Sequence, residues 1–244
     1  MVKSQRLQLI LAYDGAPFRG WQSQAGGKTV QDLLQGAFAK ICGEKISVHG
    51  AGRTDAGVHA LGQCAHADVS VRQLDWVAAL NANLPREIRV LRCTRARAKF
   101  HARFSAKGKI YMYRIWNAPV LPPFELHRAW HIPQPLDVAA LKKAAPHFAG
   151  THDFANFAAN RGKPETDTMR TIFAVKVARR GPLITLTFDG SGFLYKMVRL
   201  MTGALVRVAQ DKANPDWISG LLAGKTKAAF AAPADGLFLV RVRY

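Results

Sequence analysis

With 244 residues, 49% hydrophobic and 21% charged, the chain can bury a sizeable core, as one large domain or two packed lobes, and has no tract polar enough for a long disordered region. Thirty-five Lys and Arg against 16 Asp and Glu give a formal charge of +19. That excess points to a polyanion, nucleic acid ahead of anionic lipid, because each phosphate neutralised releases condensed counterions. A membrane span is disfavoured, since no apolar stretch approaches about 18 residues and no signal-peptide core is present. The three cysteines, Cys42, Cys64 and Cys93, are far apart and form no CxxC pair, which fits reduced thiols in the cytosol and predicts no metal.

Apolar side chains at Leu7, Leu9 and Leu11 alternate through Arg6–Tyr13 and run into Asp14-Gly15, which predicts a strand ending in a turn. Thr29 precedes a helical pattern of Leu33, Leu34, Ala37, Phe38 and Ile41, and Gly43 closes it. Short β-rich runs follow at Ile46–His49, Gln63–Val69 and Ile88–Cys93, with a helix predicted from Leu74 to about Asn83. After Arg103 the order begins again. A strand is predicted over Ile110–Trp116, a Pro-rich loop at Pro119–Pro123, and a helix over Leu136–Phe148 that starts near Asp137. A long loop leads to strands at Ile172–Ala178 and Leu183–Phe188. An amphipathic helix then runs from Phe193 to Val208, interrupted by Gly203; a short helix at Pro215–Leu222 and a strand at Leu237–Val242 close the chain. Hairpins and meanders mixed with helices favour an α+β fold with a mostly antiparallel sheet. No glycine-rich nucleotide loop opens a helix, against Rossmann and P-loop folds.

Three segments carry the candidate chemistry. In Gly50-Ala51-Gly52-Arg53-Thr54-Asp55-Ala56-Gly57-Val58-His59-Ala60, glycines allow sharp turning and close ligand approach around an arginine and an aspartate. The same pattern also suits a structural turn with an exposed Arg53–Asp55 ion pair of little energetic weight. Lys99-Phe100-His101-Ala102-Arg103-Phe104, followed by Lys107, Lys109, Tyr111 and Tyr113, interleaves cations and aromatic rings as single-stranded or loop RNA requires. Tyr111 and Tyr113 share a strand face, and Tyr113 reads as a core residue. In the third segment, Gly190-Ser191-Gly192 feeds the amphipathic helix, where Arg199 lies beside the apolar stripe. There it either meets a carboxylate or snorkels to solvent.

Together these segments closely resemble the tRNA pseudouridine synthase A family, over nearly the whole chain. The likeness runs through Tyr13-Asp14-Gly15, Phe18-Arg19-Gly20-Trp21-Gln22-Ser23-Gln24, the Gly52–Ala60 signature, Asn81-Ala82-Asn83-Leu84-Pro85 and Phe100-His101-Ala102-Arg103. It continues through Lys109-Ile110-Tyr111-Met112-Tyr113, His152-Asp153-Phe154, Met169-Arg170-Thr171-Ile172, Met197-Val198-Arg199 and Gly236-Leu237-Phe238-Leu239-Val240. Two departures stand out: Val208-Ala209-Gln210-Asp211, where many relatives have a glycine-containing turn, and Lys225-Thr226-Lys227, in place of an acid-arginine pair.

The resemblance implies two similar α/β lobes, residues 1–104 and 105–244, whose sheets join around a basic central cleft. It implies a cytoplasmic homodimer that isomerises uridine to pseudouridine at positions 38, 39 and 40 of the tRNA anticodon arm, without a cofactor. By resemblance Asp55 is the catalytic carboxylate, Arg199 its ion-pair partner, Tyr111 the ring that stacks on the target base, and Arg53 the residue that helps displace that base. His59 of the same signature is grouped with the substrate-binding residues. The chemistry moves no redox equivalents and consumes no phosphate, so one carboxylate suffices, acting on the pyrimidine ring or at the ribose carbon. Two rival classes are a catalytically silent tRNA-binding or folding protein of the same fold and a basic metal-dependent nuclease. The second has no clustered carboxylates in its favour.

Overall fold

The computed structural model of the chain describes residues 4–70, 73–159, 166–224 and 230–244. It forms two compact units, one of Met1–Lys107 with Phe238–Tyr244, the other of Gly108–Leu237.

In the first unit β1 (Ser4–Tyr13) runs between β3 (His59–Ser70) and β4 (Ile88–Ala96), antiparallel to both. β2 (Val48–Gly50) adds an antiparallel edge to β3, and β10 (Leu237–Arg243) lies parallel to it. The expected alternation holds: Leu7, Leu9 and Leu11 are all buried. Helix α1 (Val30–Cys42) begins where expected, with the Thr29 hydroxyl accepting from the Asp32 N–H, and Gly43 ends it in a left-handed conformation. Its apolar face buries Val30, Leu34, Ala37 and Phe38. Each such large side chain contributes about 1.5–3 kcal/mol of burial. Helix α2 (Trp76–Ala82) meets α1 through Phe38 and Trp76, ring centroids 5.7 Å apart. It starts later than the apolar pattern from Leu74, because Asp75 caps it by accepting from the N–H groups of Val77 and Ala78.

The second unit has the order β5 (Gly108–Trp116), β9 (Leu183–Gly190), β8 (Met169–Arg180) and β7 (Gly150–Asp153), all antiparallel, with β6 (Trp130–His131) parallel to β5. The fold is thus mixed α and β with open, mostly antiparallel sheets. Strand β7 falls where the sequence predicts a long loop, and β6 where it predicts no element; at four and two residues they are too short to set up an alternation. Helix α3 (Val138–Ala144) starts after Asp137 as expected but ends four residues early, tightening into a 3-10 turn over Ala145–Phe148. Pro146 lacks the N–H an α-helix would need there.

Helix α4 (Met197–Ala209) is the largest correction. Its apolar pattern starts at Phe193, yet Lys196 has φ 59, a left-handed conformation, so the helix begins after it. It is also buried over most of its circumference, Leu200, Ala204 and Val206 included, instead of along one stripe. Helix α5 (Trp217–Leu222) follows. Between them, Asp211 has φ 57. An aspartate there takes the left-handed conformation, which a short polar side chain tolerates. The departure at Lys225-Thr226-Lys227 lies outside the described residues.

Candidate active site

Strands β2 and β3 are bonded from Val48 opposite Ala67 to Gly50 opposite Ala65, and the Ala51 N–H extends the ladder to the Cys64 carbonyl at 2.7 Å. The chain from Ala51 to Val58 then loops out and returns at His59. Register fixes what lies under it, since Tyr13 of β1 is opposite Ala60 and Leu11 opposite Gln63.

The Thr54 side chain is turned inward, with its hydroxyl 2.8 Å from the Tyr13 hydroxyl. Gln63 spans the base of the loop, its amide donating to the Gly52 carbonyl at 2.7 Å. Burial pushes the Tyr13 hydroxyl up to about 12, with its bonds to Thr54 and Gln63 pulling the other way. It is therefore a neutral structural group at ordinary pH. On the outer side, the Trp21 N–H donates to the Thr54 carbonyl at 3.0 Å. That approach depends on Gly20, which has φ +85; a Cβ there would lie 2.7 Å from the Thr54 carbonyl oxygen and 3.0 Å from the Asp55 carbonyl carbon. A turn closes the loop, the Val58 N–H donating to the Asp55 carbonyl at 3.1 Å.

The consequence is a rigid presentation of one acid. Thr54 is buried, Asp55 half-buried and Arg53 exposed, so the backbone is held from within while Arg53 faces solvent. His59 is only 2% exposed. Its ring stacks on Phe238 at 4.4 Å, and its Nδ1 accepts from the Gly15 N–H at 3.0 Å and lies 3.2 Å from an Asp14 carboxylate oxygen. It holds the Asp14-Gly15 turn from beneath.

Tyr111 and Arg199 belong to the second unit. Tyr111 on β5 is buried, with the Phe193 ring edge-on at 5.1 Å. Tyr113, on the same face, is fully buried and donates its hydroxyl to the Pro233 carbonyl at 2.8 Å, so its reading as a core residue holds. Arg199, half-buried on α4, donates from Nε to the Ala232 carbonyl at 2.7 Å, and its own carbonyl accepts from the Ala232 N–H at 3.0 Å. Both bonds fasten the chain before β10 to the first turn of α4.

The Tyr13–Thr54–Gln63 network was missed in the sequence. Its only signal there is a polar residue at the end of β1, and the partnership appears only once strand register is known. Among the described residues, no group of three or more His, Cys, Asp or Glu is placed to hold a metal. The pair His127 and His131 does have HxxxH spacing, but His127 sits at φ 59 in a turn and His131 in β6, not on one helix face. No described helix is long and apolar enough to cross a membrane.

An acid is thus held on a glycine-supported loop in a strongly basic chain of mixed α and β structure, and comparison with known proteins places that chain in a class of tRNA-modifying enzyme. The family model for tRNA pseudouridine synthase matches residues 9–105 and 144–244, and the chain belongs to that family. Among its relatives, the tRNA pseudouridine synthase A of Akkermansia muciniphila is 48% identical, over 98% of this chain and 95% of that one. That of Geobacillus kaustophilus is 44% identical over 99% and 95%. That of Ruminiclostridium cellulolyticum is 40% identical over 98% and 100%.

Proposed function

We propose that this protein isomerises uridine to pseudouridine in tRNA, at positions 38, 39 and 40 of the anticodon stem-loop, using Asp55 and no cofactor. The observation that carries the reading is the Asp55 loop, pinned through Thr54 and Gln63 in a chain of this family. A group that must meet one atom of a flexible RNA gains from being fixed beforehand, because misplacement by about 1 Å costs on the order of 10²-fold in rate.

The reaction breaks the N1–C1′ bond of uridine and forms C5–C1′; C5 gives up a proton and N1 gains one. Atoms and electrons balance with no oxidant, reductant or phosphate donor. Asp55 supplies the carboxylate, by attack on the ring or at the ribose carbon. Arg199 is the cation that favours its charged form, and Tyr111 carries the detached uracil while it turns. Arg53, exposed on the same loop as Asp55, fills the place of the extruded base, offsetting part of an unstacking cost of a few kcal/mol. His59 serves the substrate through the Asp14-Gly15 turn that it holds. Residues 1–104 thus carry the acid, and residues 105–244 the stacking ring and the arginine. The reading places the protein in the cytoplasm as a homodimer, where free tRNA is found.

Mapping of pseudouridine in a tRNA transcript, by carbodiimide-dependent reverse-transcription stops after incubation in EDTA, tests the reading. Stops at positions 38 to 40 are expected. Stops elsewhere would contradict the anticodon assignment. Bound tRNA with no stops would favour a silent RNA-binding protein.

A further inference from the structure

The segment Lys99–Phe104, whose cations and rings suit RNA in the sequence, forms a loop after β4 that has no part in the reaction proposed above. Its backbone is fastened from several sides. Arg6 donates from Nη1 to the carbonyl oxygens of Ala98 and Phe100, at 2.7 Å each, while its Nε bonds Asp68 at 2.7 Å. The Ala102 N–H donates to Nδ1 of buried His66 at 3.1 Å, and the Ala102 carbonyl accepts from the Tyr244 hydroxyl at 2.7 Å. His101 folds back on its own loop: its Nδ1 accepts from the N–H groups of Arg103 and Phe104 at 3.1 and 3.3 Å, and its N–H donates to Ser105 Oγ at 3.0 Å.

A loop held this firmly nevertheless turns Phe104 outward, 77% exposed. The ring is not left to swing freely, because the His101 imidazole lies 4.3 Å from it and the Arg103 guanidinium 5.6 Å from its centroid. The surroundings are cationic. Between Glu87 and Glu125 the chain has nine Lys and Arg and no acid, and Arg95, Arg97, Lys99, Arg103 and Lys107 are exposed. One preset ring among cations suits a nucleobase with flanking phosphates; a protein partner would call for a contiguous apolar patch. His66, which anchors the loop, lies seven residues along β3 from His59, where the Asp55 loop ends. That is roughly 23 Å of extended strand. Thr54, next to Asp55, is bonded to Tyr13, which pairs with Ala60 at that same far end of β3, so Phe104 would take a nucleotide other than the one that reacts.

We propose that Phe104, backed by Arg103 and His101, is a second RNA-stacking platform that takes an unstacked nucleobase of the tRNA. The proposal rests on the functional reading above. It is tested by fluorescence anisotropy with labelled tRNA transcript, steady-state turnover, thermal melting and sedimentation on full-length variants. Phe104→Ala should weaken tRNA binding roughly 5- to 100-fold, raising KM while leaving kcat at saturating tRNA and the melting temperature unchanged. Phe104→Leu, which keeps apolar bulk without a π-face, should be as weak, and Phe104→Trp should restore binding. Arg103→Ala should lower the slope of log affinity against log salt by about 1, a slope that Phe104→Ala leaves alone. Wild-type affinity in Phe104→Ala would overturn the platform while the reaction assignment stood, as would a changed oligomeric state with RNA affinity intact. A wild-type protein that binds no tRNA would overturn the functional reading and this proposal with it.

Discussion

Thr54 and Asp55 are neighbours with opposite surroundings, and the difference lies in one hydroxyl. The Thr54 hydroxyl is buried against that of Tyr13. Thr54→Val keeps the shape and removes the bond, leaving Tyr13 only the 3.5 Å contact from Gln63. A poorly satisfied buried hydroxyl costs about 1–3 kcal/mol, so the urea midpoint should fall accordingly. Turnover should drop as well, because Asp55 is carried on the same backbone; a variant with unchanged midpoint and turnover would show that the network does not hold the loop. The glycine-rich signature made Asp55 and Arg53 legible in the sequence. The network beneath them was not, because Tyr13 lies 41 residues before Thr54 and 50 before Gln63 and meets them only through the pairing of β1 with β3.

At the scale of elements, β1 and α1 were legible because alternation, cap and stop all agreed. Expectation failed where a single backbone choice overrode the pattern: Lys196 in a left-handed conformation delays α4, and Pro146 shortens α3. Within α4, Gly203 weakens the pattern for a reason the sequence hides. A Cβ there would collide with the Phe230 carbonyl oxygen. Gly203→Ala would gain about 1 kcal/mol of helix propensity but lose about 1–3 kcal/mol to overpacking, so net destabilisation by chemical denaturation is expected, and a stabilised variant would refute the close approach.

The loop after β4 makes a pH prediction. Burial first, then the nearby charges of His101, Arg6 and His49, hold His66 at about 4, against an ordinary 6.5; Asp68 acts in the opposite sense. His101 is lowered too, by burial and by His49, Arg6 and Arg103. Between those two values for His66 the unfolded chain binds the proton and the native chain does not, so stability is retained above about 6.5 and lost as pH falls toward about 4. Protonation of His66 at Nδ1 would also deprive the Ala102 N–H of its acceptor. The urea midpoint should decline from pH 7.5 to pH 5, and less so in His66→Gln; a midpoint that stays level or rises would contradict the assignment.

For the whole molecule, a formal charge of +19 sets how tRNA binding responds to salt. If six or more phosphates are neutralised, affinity should fall on the order of 10³-fold between about 50 and 200 mM salt. A nearly flat dependence in a binding titration would mean that the basic surface is not the RNA surface. The chemistry itself is tested most directly by tritium release from tRNA labelled at C5 of uridine, with wild type beside Asp55→Ala in EDTA and tRNA binding measured on both. Release by wild type alone, with both proteins binding tRNA, is the predicted result. Release by Asp55→Ala at the wild-type rate would contradict the assignment of Asp55 as the catalytic carboxylate.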